Sequence, residues 1–294
     1  MKQGKKPVTF VLKPFVLSTA NIAGKLQHHS NKPPATGKYL AGIYYFRLFT
    51  AAMVQRALKA RYAQTLLGSL WIVVQPLLTL SVFVLVFDKL AGIYKESQPY
   101  ALFAFIGLIG WNLFSHISLQ GGNAVVQHRD LLKRLYFPKI TLVLVQVIIG
   151  LIDFFIGLAL ILFALLLLGI GFSGKLLLLP FFILLNLLTG VAVALFMNII
   201  TVKKRDYYQA LPYFINFGMW VTPVFYPVSI VPQNYRFLLY CNPMSGIIEG
   251  YRTCIFNTGS ISAAYFPVYV LILLITLAGF YRFKEKEHTF VDTV

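Results

Sequence analysis

A helix that crosses the hydrocarbon core of a bilayer needs about 20 consecutive apolar residues, and this chain offers uncharged stretches of that size at six places. They fall near residues 67–87, 100–119, 140–168, 176–200, 211–226 and 265–281, and the third is interrupted only by Asp153. Composition fits such a chain: 58% of its 294 residues are hydrophobic and 12% are charged, whereas a soluble domain is about one quarter charged. The expected fold class is therefore all-α, a polytopic membrane protein with six transmembrane helices. At about 1.5 Å per residue the third stretch overshoots the hydrocarbon core, so it is expected to tilt or to project beyond it.

Charge placement sets the orientation. Residues 1–66 carry eleven Lys or Arg and no Asp or Glu, and basic residues beside a spanning helix are retained on the cytoplasmic side. With the N-terminus inside, the segments expected to be cytosolic hold 21 basic residues and the outer ones five. An even number of spans returns the C-terminus to the cytosol. Lys2, Lys5 and Lys6 precede a short apolar run at 8–17, but Lys13 and Pro14 interrupt it and no small-residue cleavage site follows. No cleaved leader is expected. The domains are read as a basic disordered cytosolic tail at 1–38, an interfacial amphipathic helix at 39–66, a six-helix transmembrane domain at 67–283 and a cytosolic C-terminal tail at 284–294.

Two cytosolic segments have helical amphipathicity. Helical spacing puts Phe46, Phe49, Met53, Ala57 and Ala60 on one face. Arg47, Gln55 and Lys59 fall opposite, with Arg56 and Arg61 at the edges, where their stems can snorkel. That pattern suits a helix lying on the inner leaflet. Between the second and third spans, Val125, Leu132, Leu135 and Tyr136 gather on one side and Arg129, Asp130, Lys133 and Arg134 on the other. This segment is either a solvated connecting helix or a docking surface for a cytosolic partner. The fifth stretch is punctuated by Pro212, Gly218 and Pro223, with Pro227 and Pro232 beyond. Broken backbone at membrane depth is tolerated only where protein or a water-filled cavity satisfies it. Residues 228–262 are too polar for a clean span and are expected to hold short re-entrant or outer helices.

Several function classes fall away. The net charge of +17 sits in short clusters between apolar runs, not on one folded face, which argues against nucleic acid. Cys241 and Cys254 make neither a metal motif nor a disulfide framework. Gly169, Gly174 and Lys175 satisfy phosphate-loop spacing until Leu176, which has no hydroxyl for Mg²⁺. That segment reads as a flexible turn. With nine acidic residues in all and no acidic or His cluster, membrane transferase chemistry lacks its usual groups. A secondary transporter would want charge relays or an inverted repeat, and neither is visible. Asp153 stands alone in a span, either capping a polar helix contact or facing a channel, and His116 and His128 read as ordinary interfacial residues. Aromatic residues make up 16% of the chain, and aromatic faces can stack on sugar rings. Tyr100, Phe103, Trp111 and Phe225 are the channel-contact candidates, together with Asp153.

The motifs resemble a family. They run Arg56-Ala-Leu-Lys59-Ala-Arg61-Tyr62, then Leu67-Gly68-Ser-Leu-Trp71 with Gln75-Pro76, then Gly107-Leu-Ile-Gly110-Trp111-Asn112-Leu-Phe114. Leu131-Leu-Lys133-Arg134-Leu-Tyr136-Phe137-Pro138 and Val202-Lys-Lys-Arg205-Asp206 follow. Thr222-Pro223-Val-Phe225-Tyr226-Pro227 and Asn242-Pro243-Met-Ser-Gly246-Ile-Ile-Glu249-Gly250-Tyr251-Arg252 complete the series. In this order they resemble the permease subunit of bacterial ABC-type polysaccharide exporters, which handle O-antigen, capsule or teichoic acid. The resemblance implies an inner-membrane homodimer around a channel for a lipid-linked polysaccharide. It implies a separate ATP-binding cassette subunit that holds ATP and Mg, leaving this chain without a bound cofactor, a metal site or catalytic residues. On that reading Arg129, Asp130, Lys133, Arg134, Phe137 and Pro138 dock the ATPase. Arg56, Lys59 and Arg61 belong to the interfacial helix that transmits its motion, and Glu249 and Arg252 to the outer segment. The alternative is a related permease for a drug, lipid or other small substrate.

Overall fold

The computed structural model describes residues 36–62, 68–83, 85–86, 98–171, 174–202, 204, 206–257, 262–287 and 289–290. Most of the basic tail read at 1–38 lies outside these residues, as do 87–97, Lys203 and Arg205. The described residues form helices and turns, with no strand among them. In chain order the helices are α1 (Thr36–Tyr45), α2 (Arg47–Tyr62), α3 (Trp71–Phe83), α4 (Tyr100–His116), α5 (Ala124–Gln127) and α6 (Arg129–Arg134). They continue with α7 (Ile140–Leu167), α8 (Leu179–Thr201), α9 (Asp206–Val221), α10 (Arg236–Cys241), α11 (Pro243–Phe256) and α12 (Phe266–Lys286).

Helix α4 is the hub, packed against α7, α8 and α11, while α12 lies along α8. Nearly every side chain of α4 is buried, from Tyr100 to Phe114, with Asn112 the main exception. By contrast α7, α8 and α12 keep one buried stripe and turn large apolar side chains outward, among them Phe155, Phe163, Leu166, Phe181 and Leu274. Such surfaces would be an aggregation hazard in water; in a bilayer they meet lipid tails as apolar as themselves. Close helix contact then depends on small residues. A Cβ on Gly250 of α11 would lie 2.2 Å from the Phe182 ring of α8, and one on Gly107 of α4 would lie 2.4 Å from the Val224 carbonyl.

Four helical segments among the described residues are long and apolar enough to cross a membrane: Tyr100–Gly121, Ile140–Leu167, Gly174–Thr201 and Ala263–Lys286. This corrects the expected six. At the first of the other two stretches, α3 has 13 residues, with Pro76 inside it and Gly68 at φ +53° just before it. At about 1.5 Å per residue it reaches roughly 20 Å, short of a 30 Å hydrocarbon core. At the other, α9 begins at the charged Asp206, contains Pro212 and ends after 16 residues, about 24 Å of helix. Pro223 follows its last turn, where the Val224 N–H donates to the Thr222 carbonyl at 2.7 Å and the chain turns away. Apolar run length overstated α9 because it ignored where the backbone stops being helical; α3 follows the 3₁₀ turn Gly68–Leu70, and residues 87–97 beyond it lie outside the described ones.

The expected re-entrant or outer helices are corrected as well. Residues 228–241 form two 3₁₀ turns and the six-residue α10. Helix α11 is buried along almost its whole length between α4 and α8, so it belongs to the packed interior. Its start is well specified: Asn242 accepts from the Met244 N–H at 3.0 Å and Pro243 occupies the first turn. Asn257, at φ 58°, ends it in the left-handed conformation.

Candidate functional site

At one end of the bundle three parts of the chain meet. The N–H of Lys139, just before α7, donates to Glu287 Oε1 at 2.6 Å, and the Tyr39 hydroxyl of α1 donates to the other carboxylate oxygen. Lys284 Nζ donates to Thr36 Oγ1 at 3.0 Å. Burial beside the Glu287 carboxylate holds the Tyr39 phenol well above its ordinary pKa, so it remains a donor at any physiological pH. The same end carries the short helices α5 and α6. Asp130, Lys133 and Arg134 are exposed and Arg129 is half-buried, while Leu132 points inward. Helix α6 stops at Arg134, and Leu135 takes extended backbone. Leu135 and Tyr136 are therefore outside the apolar face expected for them, with Tyr136 71% exposed.

Phe137 and Pro138 tie this loop to the N-terminal helices. The Phe137 ring is buried, 4.9 Å from that of Phe49 and 6.4 Å from that of Phe46, centroid to centroid. Pro138 touches the position a Cβ would take on Gly42 of α1. Farther along α2 the inward stripe is Thr50, Met53, Val54, Ala57 and Leu58, which meets Val145 and Ile149 of α7. Arg56 and Lys59 are exposed. Arg61 instead turns to α7 and pairs with Asp153, Nη1 to Oδ2 2.6 Å. No partner for Asp153 is visible in the sequence, because its cation stands 92 residues away.

The four aromatic channel candidates are buried in the single chain. The Tyr100 hydroxyl donates to the Phe225 carbonyl at 3.0 Å, the Tyr100 and Phe103 rings stack at 6.3 Å, and Trp111 packs on Phe114 at 5.2 Å. Helix α9 turns a different aromatic set outward: Tyr213, Phe214, Phe217 and Trp220, each more than half exposed. That face is masked in the sequence by Pro212 and Pro223, which interrupt the segment's helical pattern.

Glu249 and Arg252 share one face of α11 and pair at 3.1 Å. The guanidinium is 3% exposed and lies 3.5 Å above the Phe103 ring. It donates at 2.7 Å to both the Pro223 and Val224 carbonyls. These carbonyls belong to the turn after α9, where proline has ended the helix, so Arg252 supplies the donors the backbone there lacks.

No group of three or more His, Cys, Asp or Glu side chains is placed to hold a metal among the described residues. In the glycine-rich segment Gly169 has φ +68° and Gly174–Leu178 form a 3₁₀ helix, and there is no strand among the described residues.

The model of the ABC-2 type transporter family matches residues 49–256. The chain is 30% identical over 222 residues to the O-antigen export system permease protein RfbA of Myxococcus xanthus, spanning 73% of this chain and 83% of that protein. Two proteins of the same description from Klebsiella pneumoniae are 22% and 21% identical over 257 residues, covering 87% of this chain and 97% of each relative.

Proposed function

This chain belongs to the ABC-2 type transporter family, and on that premise we propose that it serves as the permease subunit of an ATP-driven exporter carrying an O-antigen-like, lipid-linked polysaccharide across the bacterial inner membrane. As a member of that family it is a non-catalytic membrane subunit that works with a separate ATP-binding partner. The observation that carries the substrate is the likeness to the Myxococcus export permease, which extends over most of both chains. The long apolar helices support the membrane setting. The proposal includes two copies of the chain around a channel, ATP and Mg held by the partner, and both termini in the cytosol, as the basic N-terminus favours.

The exposed charges of Asp130, Lys133 and Arg134, with Arg129 beside them, are proposed to meet the ATPase. Phe137 and Pro138 would pass its motion to the N-terminal helices, whose interfacial residues include Arg56 and Lys59. The test is deletion of the gene in the bacterium that carries it. Surface polysaccharide should disappear while lipid-linked polymer accumulates inside, and expression of this chain should restore export. A deletion strain with unchanged surface polysaccharide would sink the reading.

A further inference from the structure

A cavity of about 410 Å³ opens between α3, α4 and α7, with Arg61 at its edge. That volume lies in the range of small-ligand sites. Each helix contributes one stripe at helical spacing. Helix α3 presents Trp71, Gln75 and Thr79, one residue per turn. Helix α4 and the π-helical turn that extends it, Ile117–Gly121, present Asn112, Ser115, His116 and Gln120. Helix α7 presents Asp153 between Gly150 and Gly157, whose missing side chains let α7 close on Leu113 and Ile109 of α4. A straight helix would carry the α4 stripe steadily round its axis. The wider π turn keeps Gln120 on the cavity side, and such turns recur at functional sites.

The polar groups in this cavity are incompletely satisfied. Asp153 Oδ2 holds Arg61 at 2.6 Å, but Asp153 Oδ1 is buried and takes no hydrogen bond from the protein. His116 Nε2 is buried without a hydrogen bond as well. Asn112 is exposed into the cavity although both its neighbours in sequence are buried. Leaving such groups unpaired in an apolar bundle is costly, so their grouping on three helices around one space points to a polar ligand.

The donor and acceptor pattern limits its chemistry. An ionised carboxylate only accepts, so Asp153 Oδ1 calls for a ligand that donates. A hydroxyl both donates and accepts, and so serves His116 Nε2 in either tautomer and the amides of Asn112 and Gln75. A phosphate or pyrophosphate suits the cavity poorly: it brings few protons to donate to Asp153 Oδ1, and its negative charge would lie beside the Asp153 carboxylate. Trp71 adds an aromatic face on the cavity wall, the surface on which a sugar ring stacks.

We propose that this cavity binds one sugar unit of an uncharged, hydroxyl-rich glycan, with Asp153, Asn112, Gln75 and His116 reading its hydroxyls and Trp71 stacking on its ring. The site rests on the polysaccharide reading above and assigns to it a contact surface distinct from the buried aromatics of α4. Arg61 is a positioning residue: by holding Asp153 Oδ2 at 2.6 Å it fixes the direction in which Oδ1 points.

The experiment uses the full chain purified with its ATP-binding subunit in lipid nanodiscs. The probes are methyl glycosides of glucose, galactose and mannose at millimolar concentration, followed by saturation-transfer NMR, with inorganic pyrophosphate as competitor. At least one glycoside should receive transfer, and pyrophosphate should leave that signal in place. Asp153→Asn and Asn112→Leu should each weaken binding about tenfold, the scale expected for a lost hydrogen bond to a charged or buried group. If Asp153→Asn fails to assemble because Arg61 loses its partner, Asn112→Leu and Gln75→Leu carry the test. Absence of transfer to all three glycosides, displacement by pyrophosphate, or unaltered binding in Asn112→Leu would each overturn the site. Export that persists in a complex binding none of the glycosides would refute the site and leave the transport function standing. Glycoside binding in a chain whose deletion leaves surface polysaccharide unchanged would refute the transport function instead.

Discussion

Single residues in this protein work by supplying groups the backbone lacks, and Arg252 is the clearest case. Its guanidinium is buried and donates to two carbonyls that proline has stranded beyond α9. Replacing it with Ala would leave those carbonyls unpaired in an apolar interior, along with the half-buried Glu249. The expected cost is roughly 3–5 kcal/mol. Lys would restore the charge but not the planar fork and should recover only part of it. Thermal unfolding of the purified variants in detergent should therefore rank wild type above Arg252→Lys above Arg252→Ala. An Ala variant that melts with the wild type would show that the carbonyls have other partners. The motif at 242–252 placed Arg252 and Glu249 in one segment of the chain. The partners of Arg252 at Pro223 and Val224 were not legible there, since no periodicity links a buried cation to a turn 28 or 29 residues earlier. The same holds for Arg61 and Asp153, which helical spacing treats as unrelated.

At the scale of elements, apolar run length located the four long segments within a few residues, because those helices are uninterrupted and their termini coincide with turns. It misjudged α3 and α9. Pro76 and Pro212 lie inside these helices and leave them apolar, but α3 begins only at Trp71, after the 3₁₀ turn Gly68–Leu70, and α9 ends at Val221, just before Pro223, so each α-helix is shorter than a bilayer is thick. Burial of α11 was equally hidden, since its Gly246 and Gly250 matter only through the Tyr265 ring just before α12, the Tyr269 hydroxyl of α12 and the Phe182 ring of α8 that approach them. Helix α6 carries the element-scale prediction. Single charge neutralisations on an exposed surface change an interaction by only about 0–1 kcal/mol each, so they should have little effect. On the docking proposal the ATPase groove is acidic, to complement this basic face, so reversing Arg129, Lys133 and Arg134 to Glu together sets like charges against it. The triple variant should reach the membrane in normal amount but fail to recover its ATP-binding partner on purification. Recovery of the partner together with normal export would remove α6 from the docking surface.

For the molecule as a whole, the contacts of Thr36, Tyr39, Lys139, Lys284 and Glu287 bring the N-terminal helices, the α6–α7 loop and the end of α12 to one pole. Leu177, 88% exposed in the turn between α7 and α8, marks the opposite pole. On the charge bias in the sequence, the first pole is proposed to be the cytosolic one. In a chain with Cys241 and Cys254 replaced by Ser, Asp130→Cys should resist an impermeant thiol reagent applied to intact spheroplasts, and Leu177→Cys should react. The reverse pattern would invert the molecule. The most direct measurement of the transport claim is movement itself. Purified chain and ATP-binding subunit are reconstituted in liposomes, lipid-linked polysaccharide is supplied on the side bearing the nucleotide sites, and its passage to the lumen is followed by protection from an added glycosidase. Protection should require ATP, Mg and both subunits, and the chain alone should neither hydrolyse ATP nor protect polymer. Protection without ATP, or ATP hydrolysis by the chain alone, would contradict the account.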